Sequence, residues 1–93
     1  MDNVITLHER VEVVTVYRVA INASPNCYPA KMKYQGQVIE FTELGLRHPT
    51  SKGTRMIHVF DMSDGVNDYR LEFDAEGLTW TLMAIREGHD ARD

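Results

Sequence analysis

The sequence predicts an all-β domain: five or six antiparallel strands in a meander, curled into a small barrel or half-barrel, with a covered open sheet as the alternative. Three observations predict it. Runs of strand length, rich in Val, Ile, Tyr, Phe, Trp and Thr, alternate with turn signals at Ser24-Pro25-Asn26, Gln35-Gly36, His48-Pro49 through Gly53, Asp64-Gly65 and Asp74 through Gly77. Read as hairpin turns, three of those signals bring large apolar residues together on one face, which a one-residue slip would scatter. The strand over 55–62 is apolar on both faces, as suits a central strand or a sheet that curls.

Segment 10–22 comes first in the chain and is the ambiguous one. Thr6 and Glu9 have capping-box spacing, and Leu7, Val11 and Val14 can form a helical stripe. Val11, Val13, Val14, Thr15 and Val16 are β-branched, however, and lose rotamer freedom in a helix. A long strand with a short N-terminal helix before it is the expectation. Next, a turn at Gln35-Gly36 pairs Met32 with Ile39 and Ala30 with Phe41 on one face, and Lys31 with Glu40 on the other. Asp64-Gly65 favours a two-residue turn, which sets Phe60 opposite Tyr69, His58 opposite Leu71 and Met56 opposite Phe73. A four-residue loop at 74–77 then sets Phe73 opposite Leu78, Leu71 opposite Trp80 and Tyr69 opposite Leu82. Ile57, Val59, Met83 and Ile85 fall off that main face, so the first strand, barrel closure or a second chain must cover them. Residues 1–88 read as one domain and 89–93 as a frayed polar tail.

At 93 residues there is room for one modest core. No apolar run approaches the roughly 20 residues that cross a bilayer, and the first ten residues lack the features of a secretion signal. The single cysteine, Cys27, forbids an internal disulfide, which fits a cytoplasmic protein. The net charge of −4 speaks against a dedicated nucleic-acid binder, but it is unevenly spread. Residues 31–58 carry five basic side chains against Glu40 and Glu43, whereas 59–93 carry three basic and nine acidic ones. Such asymmetry can orient a partner.

The residues that carry chemistry form few patterns. The histidines have no metal-ligand spacing, so no metal or cofactor is expected. Asp61 through Asp68 resembles an acidic calcium loop but lacks its D-x-D-x-D-G spacing and closing glutamate. In a two-residue turn it also opposes Asp61 to Asp68, two like charges. No serine has a nucleophile-elbow context and Cys27 has no identifiable base, so no catalytic residue is assigned. The segment 47–55 is the exception. Read as the longest loop between strands, it offers Arg47, His48, Thr50, Ser51, Lys52 and Arg55 with no acid, which suits a phosphate or carboxylate. That reading requires Arg47 and Arg55 to point the same way.

Lys33-Tyr34-Gln35-Gly36-Gln37, Tyr69 through Asp74 and Trp80-Thr81-Leu82 resemble uncharacterised small bacterial β domains. Those share a Tyr-x-Gly turn, a Y-x-L-x-F-D strand and a W-x-L strand. The resemblance covers the last two-thirds of the chain and implies a β meander but no activity. The expected function is a non-catalytic binding or regulatory module acting through a protein surface, by a protein partner or by self-association through Ile57, Val59, Met83 and Ile85. The alternative is an anionic ligand or nucleic acid held by loop 47–55. Third comes an enzyme built on His48, His58 or Asp61.

Overall fold

Residues 3–18 form one uninterrupted strand, β1 (Asn3–Arg18). The structure, a computed structural model, describes residues 3–18 and 26–88. The Ser24-Pro25 turn signal and the 89–93 tail lie outside them. Along the described chain follow β2 (Asn26–Tyr34), β3 (Gln37–Glu40), β4 (Glu43–Lys52), β5 (Arg55–Ser63), β6 (Asp68–Asp74) and β7 (Thr79–Glu87). The expected N-terminal helix is therefore absent. The β-branched run wins because β1 has neighbours on both edges, β2 and β7, so its backbone groups are paired without a helix.

All neighbours are antiparallel, in one sheet of order β3-β2-β1-β7-β6-β5-β4. This is seven strands rather than five or six, and the ladder is not closed into a barrel. Its two edges, β3 and β4, follow one another in the chain with only Phe41 and Thr42 between. There the strand changes partners: Phe41 N–H donates to Ala30 C=O (2.9 Å) and Thr42 N–H to Ser63 C=O (2.8 Å). The sheet still curls far enough for Phe41 to reach Tyr69, with ring centroids 5.5 Å apart.

The three turns came out differently. Gln35 (φ 52°) and Gly36 (φ 77°) make the two-residue turn, and Lys31–Glu40 and Met32–Ile39 are opposed as expected. The other two registers are displaced by two residues. At 64–67 the connection is a four-residue loop, so Phe60 opposes Leu71 and His58 opposes Phe73. The tighter turn would oppose Asp61 to Asp68. The wider one instead opposes Asp61 to Arg70, whose guanidinium donates twice to the carboxylate (2.8 and 3.0 Å). The next loop is 75–78, with Phe73 opposite Trp80 and Leu71 opposite Leu82. Asp74 ends β6 and accepts the Glu76 and Gly77 N–H groups, while Leu78 is left 74% exposed at φ 56° rather than in the core. A shift of two preserves strand parity, so the predicted face survives although its pairs change.

That inner face is the core. Leu71, Leu82 and Met32 are fully buried, with Val11, Phe60, Met62, Tyr69 and Ile85 around them. Trp80 lies between Phe60 and Phe73, with ring centroids at 5.3 and 4.8 Å.

The outer face is covered differently. Ile57 and Val59 are only 6% and 4% exposed, although the described strands form a single sheet. Lys52 on β4 reaches Glu72 on β6 (2.8 Å), across β5. Arg55 meets Asp74 (2.6 Å) and Glu76 (3.7 Å). The long aliphatic stems of such side chains shield apolar surface while their heads remain solvated.

Candidate functional site

Three of the sheet's irregularities lie in one line across it. Gly45 is an extra residue in β4, between the Leu44–Met62 and Leu46–Asp61 pairs. Met83 is extra in β7, between the Leu71–Leu82 and Arg70–Ala84 pairs. In β1, Leu7 and His8 stand where β7 has Met83, between the Thr6–Ala84 and Glu9–Leu82 pairs. The row Leu46, Asp61, Arg70, Ala84, Thr6 is thus flanked by bulges on three of its five strands. Each bulge kinks its strand and raises the local twist, so together they crease the sheet.

A cleft of about 450 Å³ sits at this crease. Val4, Ala84 and Met62 contribute apolar lining, while Glu43, Asp61 and Asp68 stand against Arg70 and Arg86. Gly45 lies in the wall for a steric reason: a Cβ there would be 3.3 Å from the Asp61 carbonyl oxygen. A Gly45→Val variant is expected to lose about 1–2 kcal/mol, because β4 must move away from β5 to admit the side chain. A chemical melt measures the loss, and amide shifts at Asp61 and Ala84 report whether the crease has opened.

Beside the cleft, the Asp64 side chain organises the 64–67 loop. Asp64 Oδ1 accepts the N–H groups of Val66 (2.8 Å) and Asn67 (2.7 Å), and Tyr69 donates its hydroxyl to Oδ2 (2.9 Å). Burial alone would raise the Asp64 pKa, but these hydrogen bonds outweigh it and leave the carboxyl below its ordinary value. The Tyr69 hydroxyl is pushed the other way. Burial contributes most, and the bond to Asp64 and the charges of Asp64 and Glu87 reinforce it against the Asn67 side chain.

The residues singled out from the sequence do not converge. Segment 47–55 is not a loop: residues 47–52 belong to β4, and a two-residue turn at Gly53-Thr54 sets Lys52 opposite Arg55. Gly53 takes φ 65° at the first turn position, as a type II′ hairpin requires. Strand alternation then divides the set. Arg47, opposite Phe60, and Ser51, opposite Met56, lie on the inner side. His48, Thr50, Lys52 and Arg55 lie with Val59 and Ile57 on the outer side. Arg47 and Arg55 therefore point to opposite faces, contrary to what the anion reading required. Lys52 and Arg55 are also satisfied by acids of β6 and the loop after it, which a linear reading of 47–55 could not see. Arg47 donates to Cys27 C=O at 3.5 Å.

Ile57, Val59 and Ile85 (6% exposed) are buried within one chain, and Met83 is half-buried at its bulge. Ile85 moved from the outer to the inner face because that bulge inverts the alternation of β7, placing it opposite Tyr69. The uncovered apolar patch that motivated self-association is therefore not there. For the enzyme reading, His58 lies on the inner face opposite Phe73, whereas His48 and Asp61 lie on the outer one. No group of three or more His, Cys, Asp or Glu able to hold a metal occurs among the described residues. Among the described residues no helix is long and apolar enough to cross a membrane. No protein-family model matches the chain, nor does any curated protein or solved structure.

Proposed function

We propose that the chain is a non-catalytic binding module acting through a protein surface, and that the crease is the working part of that surface. The observation that supports this reading is the coincidence of three aligned bulges with a cleft of about 450 Å³. Bulges disrupt the ladder and are enriched beside functional sites, where they re-aim side chains. Here they turn part of the outer face into a concavity with both apolar and charged walls. A mixed lining of that kind suits a segment of polypeptide. Its single unpaired thiol, Cys27, is in keeping with work in the cytoplasm.

Selection from a displayed peptide library, with Ala84→Trp as the counter-selection, tests the reading. Ala84 is on the outer side of β7, opposite Arg70, so the indole fills the cleft without entering the core. Peptides retained by the wild type and lost by a folded Ala84→Trp protein are the expected outcome. Selected peptides that bind both proteins equally place the working surface elsewhere.

A further inference from the structure

We infer that the free half of β1 pairs with the same strand of a second copy of this chain, antiparallel about Thr6, and so joins two sheets into one. Each edge of β1 is paired over only part of its length. β7 lies along residues 3–11 on one edge, whereas β2 takes up the opposite edge only from Glu12. Among the described residues no strand pairs that opposite edge of residues 3–10, and all eight are exposed except the half-buried Leu7. Alternate residues of such an edge offer N–H and C=O groups to another strand. The two outermost strands of the sheet are protected from that pairing. β3 has only four residues. In β4 the Lys52–Arg55 pair closes a two-residue turn, so Pro49 and His58 are a non-hydrogen-bonded pair and the proline nitrogen faces the free side. Gly45 kinks the same strand. The free half of β1 has neither proline nor lysine.

What fits that edge is its own sequence. With a twofold axis at Thr6 the two threonines oppose one another, a favourable cross-strand pair. On the inner side Ile5 opposes Leu7 of the second copy, and on the outer side Val4 opposes His8. Asn3 meets Glu9, an amide against a carboxylate. No like charges face each other. Val4 and Ile5 are 46% and 44% exposed in the single chain, so the pairing covers apolar surface as well as backbone. An axis at Leu7 sets Ile5 against Glu9, and one at His8 opposes two histidines. The ladder runs over residues 3–9 of both copies and stops short of Glu12, where β2 takes over. Thr6 is also where the crease meets the edge. The row Leu46, Asp61, Arg70, Ala84, Thr6 therefore runs on through Thr6 and Ala84 of the second copy, and the two creases become one groove. The pairing itself does not depend on what that groove binds.

Sedimentation equilibrium of the full chain, from about 10 μM to about 500 μM, is the first test, with a mass that doubles across the range as the expected result. Thr6→Lys, at an exposed position, sets two ammonium groups against each other on the axis and should weaken association about tenfold or more. A thermal melt close to that of the wild type shows that the variant is folded. The second test needs no weakened variant. Residues on such an axis have Cα atoms about 4.5–5.5 Å apart, within the span of a disulfide. Thr6→Cys in a Cys27→Ser background should therefore give a disulfide-linked dimer under mild oxidation. Val14→Cys in the same background, 58% exposed but on the half of β1 that pairs with β2, should stay largely monomeric. A strict monomer at the highest concentration overturns the pairing. So does a dimer that survives Thr6→Lys and cross-links no faster through Thr6→Cys than through Val14→Cys.

Discussion

Trp80→Ala should leave little folded protein. The indole is 8% exposed on the inner face of β7, opposite Phe73 on one neighbouring strand and Val11 on the other, and in ring contact with Phe60. Truncation removes its buried area and opens a cavity that strands fixed by ladders on both edges cannot collapse to fill. The expected cost is about 3–5 kcal/mol, a large share of the roughly 5–14 kcal/mol a chain of this length holds. A urea melt followed by circular dichroism reads it directly. A loss below about 1 kcal/mol would mean that the Phe60–Trp80–Phe73 stack does not anchor the sheet.

The second large effect is expected at Asp64, where one carboxylate accepts two backbone amides and a tyrosine hydroxyl. Asp64→Ala abolishes all three bonds and leaves the Tyr69 hydroxyl with, among described residues, the long contact from Asn67 (3.4 Å). The predicted loss is about 2–3 kcal/mol. Its sign with pH follows from the lowered carboxyl pKa. A group bound more tightly as the anion in the folded state contributes fully above the unfolded value of about 3.9, and that contribution is lost as pH falls through the folded value. Asp64→Asn removes the titration while keeping one acceptor oxygen. Its stability should therefore fall less steeply than that of the wild type between about pH 4 and pH 2. Parallel pH profiles for the two proteins would assign the acid sensitivity to other carboxylates, Asp74 foremost, whose pKa is also lowered.

Which face of the later strands is buried was legible in the sequence, but which residues oppose one another was not. Both misassigned hairpins are off by two, a displacement to which a period-two pattern is blind. What chose between registers was polar: Asp61 facing Arg70 rather than Asp68, and Asp74 capping its own loop. The bulges were less legible still. An extra residue inverts the alternation beyond it, so Ile85 read as an outer residue and is a core one. Only Gly45 carried a signal, as an isolated glycine, and it stands just before the stretch 47–55 that read as loop. The cleft was hidden for the same reason, since it exists only where bulges on three strands distant in sequence fall into one line.

The pairing of β1 with β7 sets Asn3 opposite Glu87, so the first and last strands of the fold are neighbours. Local hairpins can form β1–β2–β3 and β4 through β7 as two separate meanders, each at low entropic cost. Joining them means closing a loop of nearly the whole chain, and that cost is met only when the inner face of β1 docks on Trp80 and Leu82. During synthesis β1 therefore spends most of its time with one ladder unsatisfied, its sixteen residues open to any other strand. Contacts between strands so far apart in sequence raise the contact order of the fold, so refolding slower than that of a chain of purely local hairpins is the expected result.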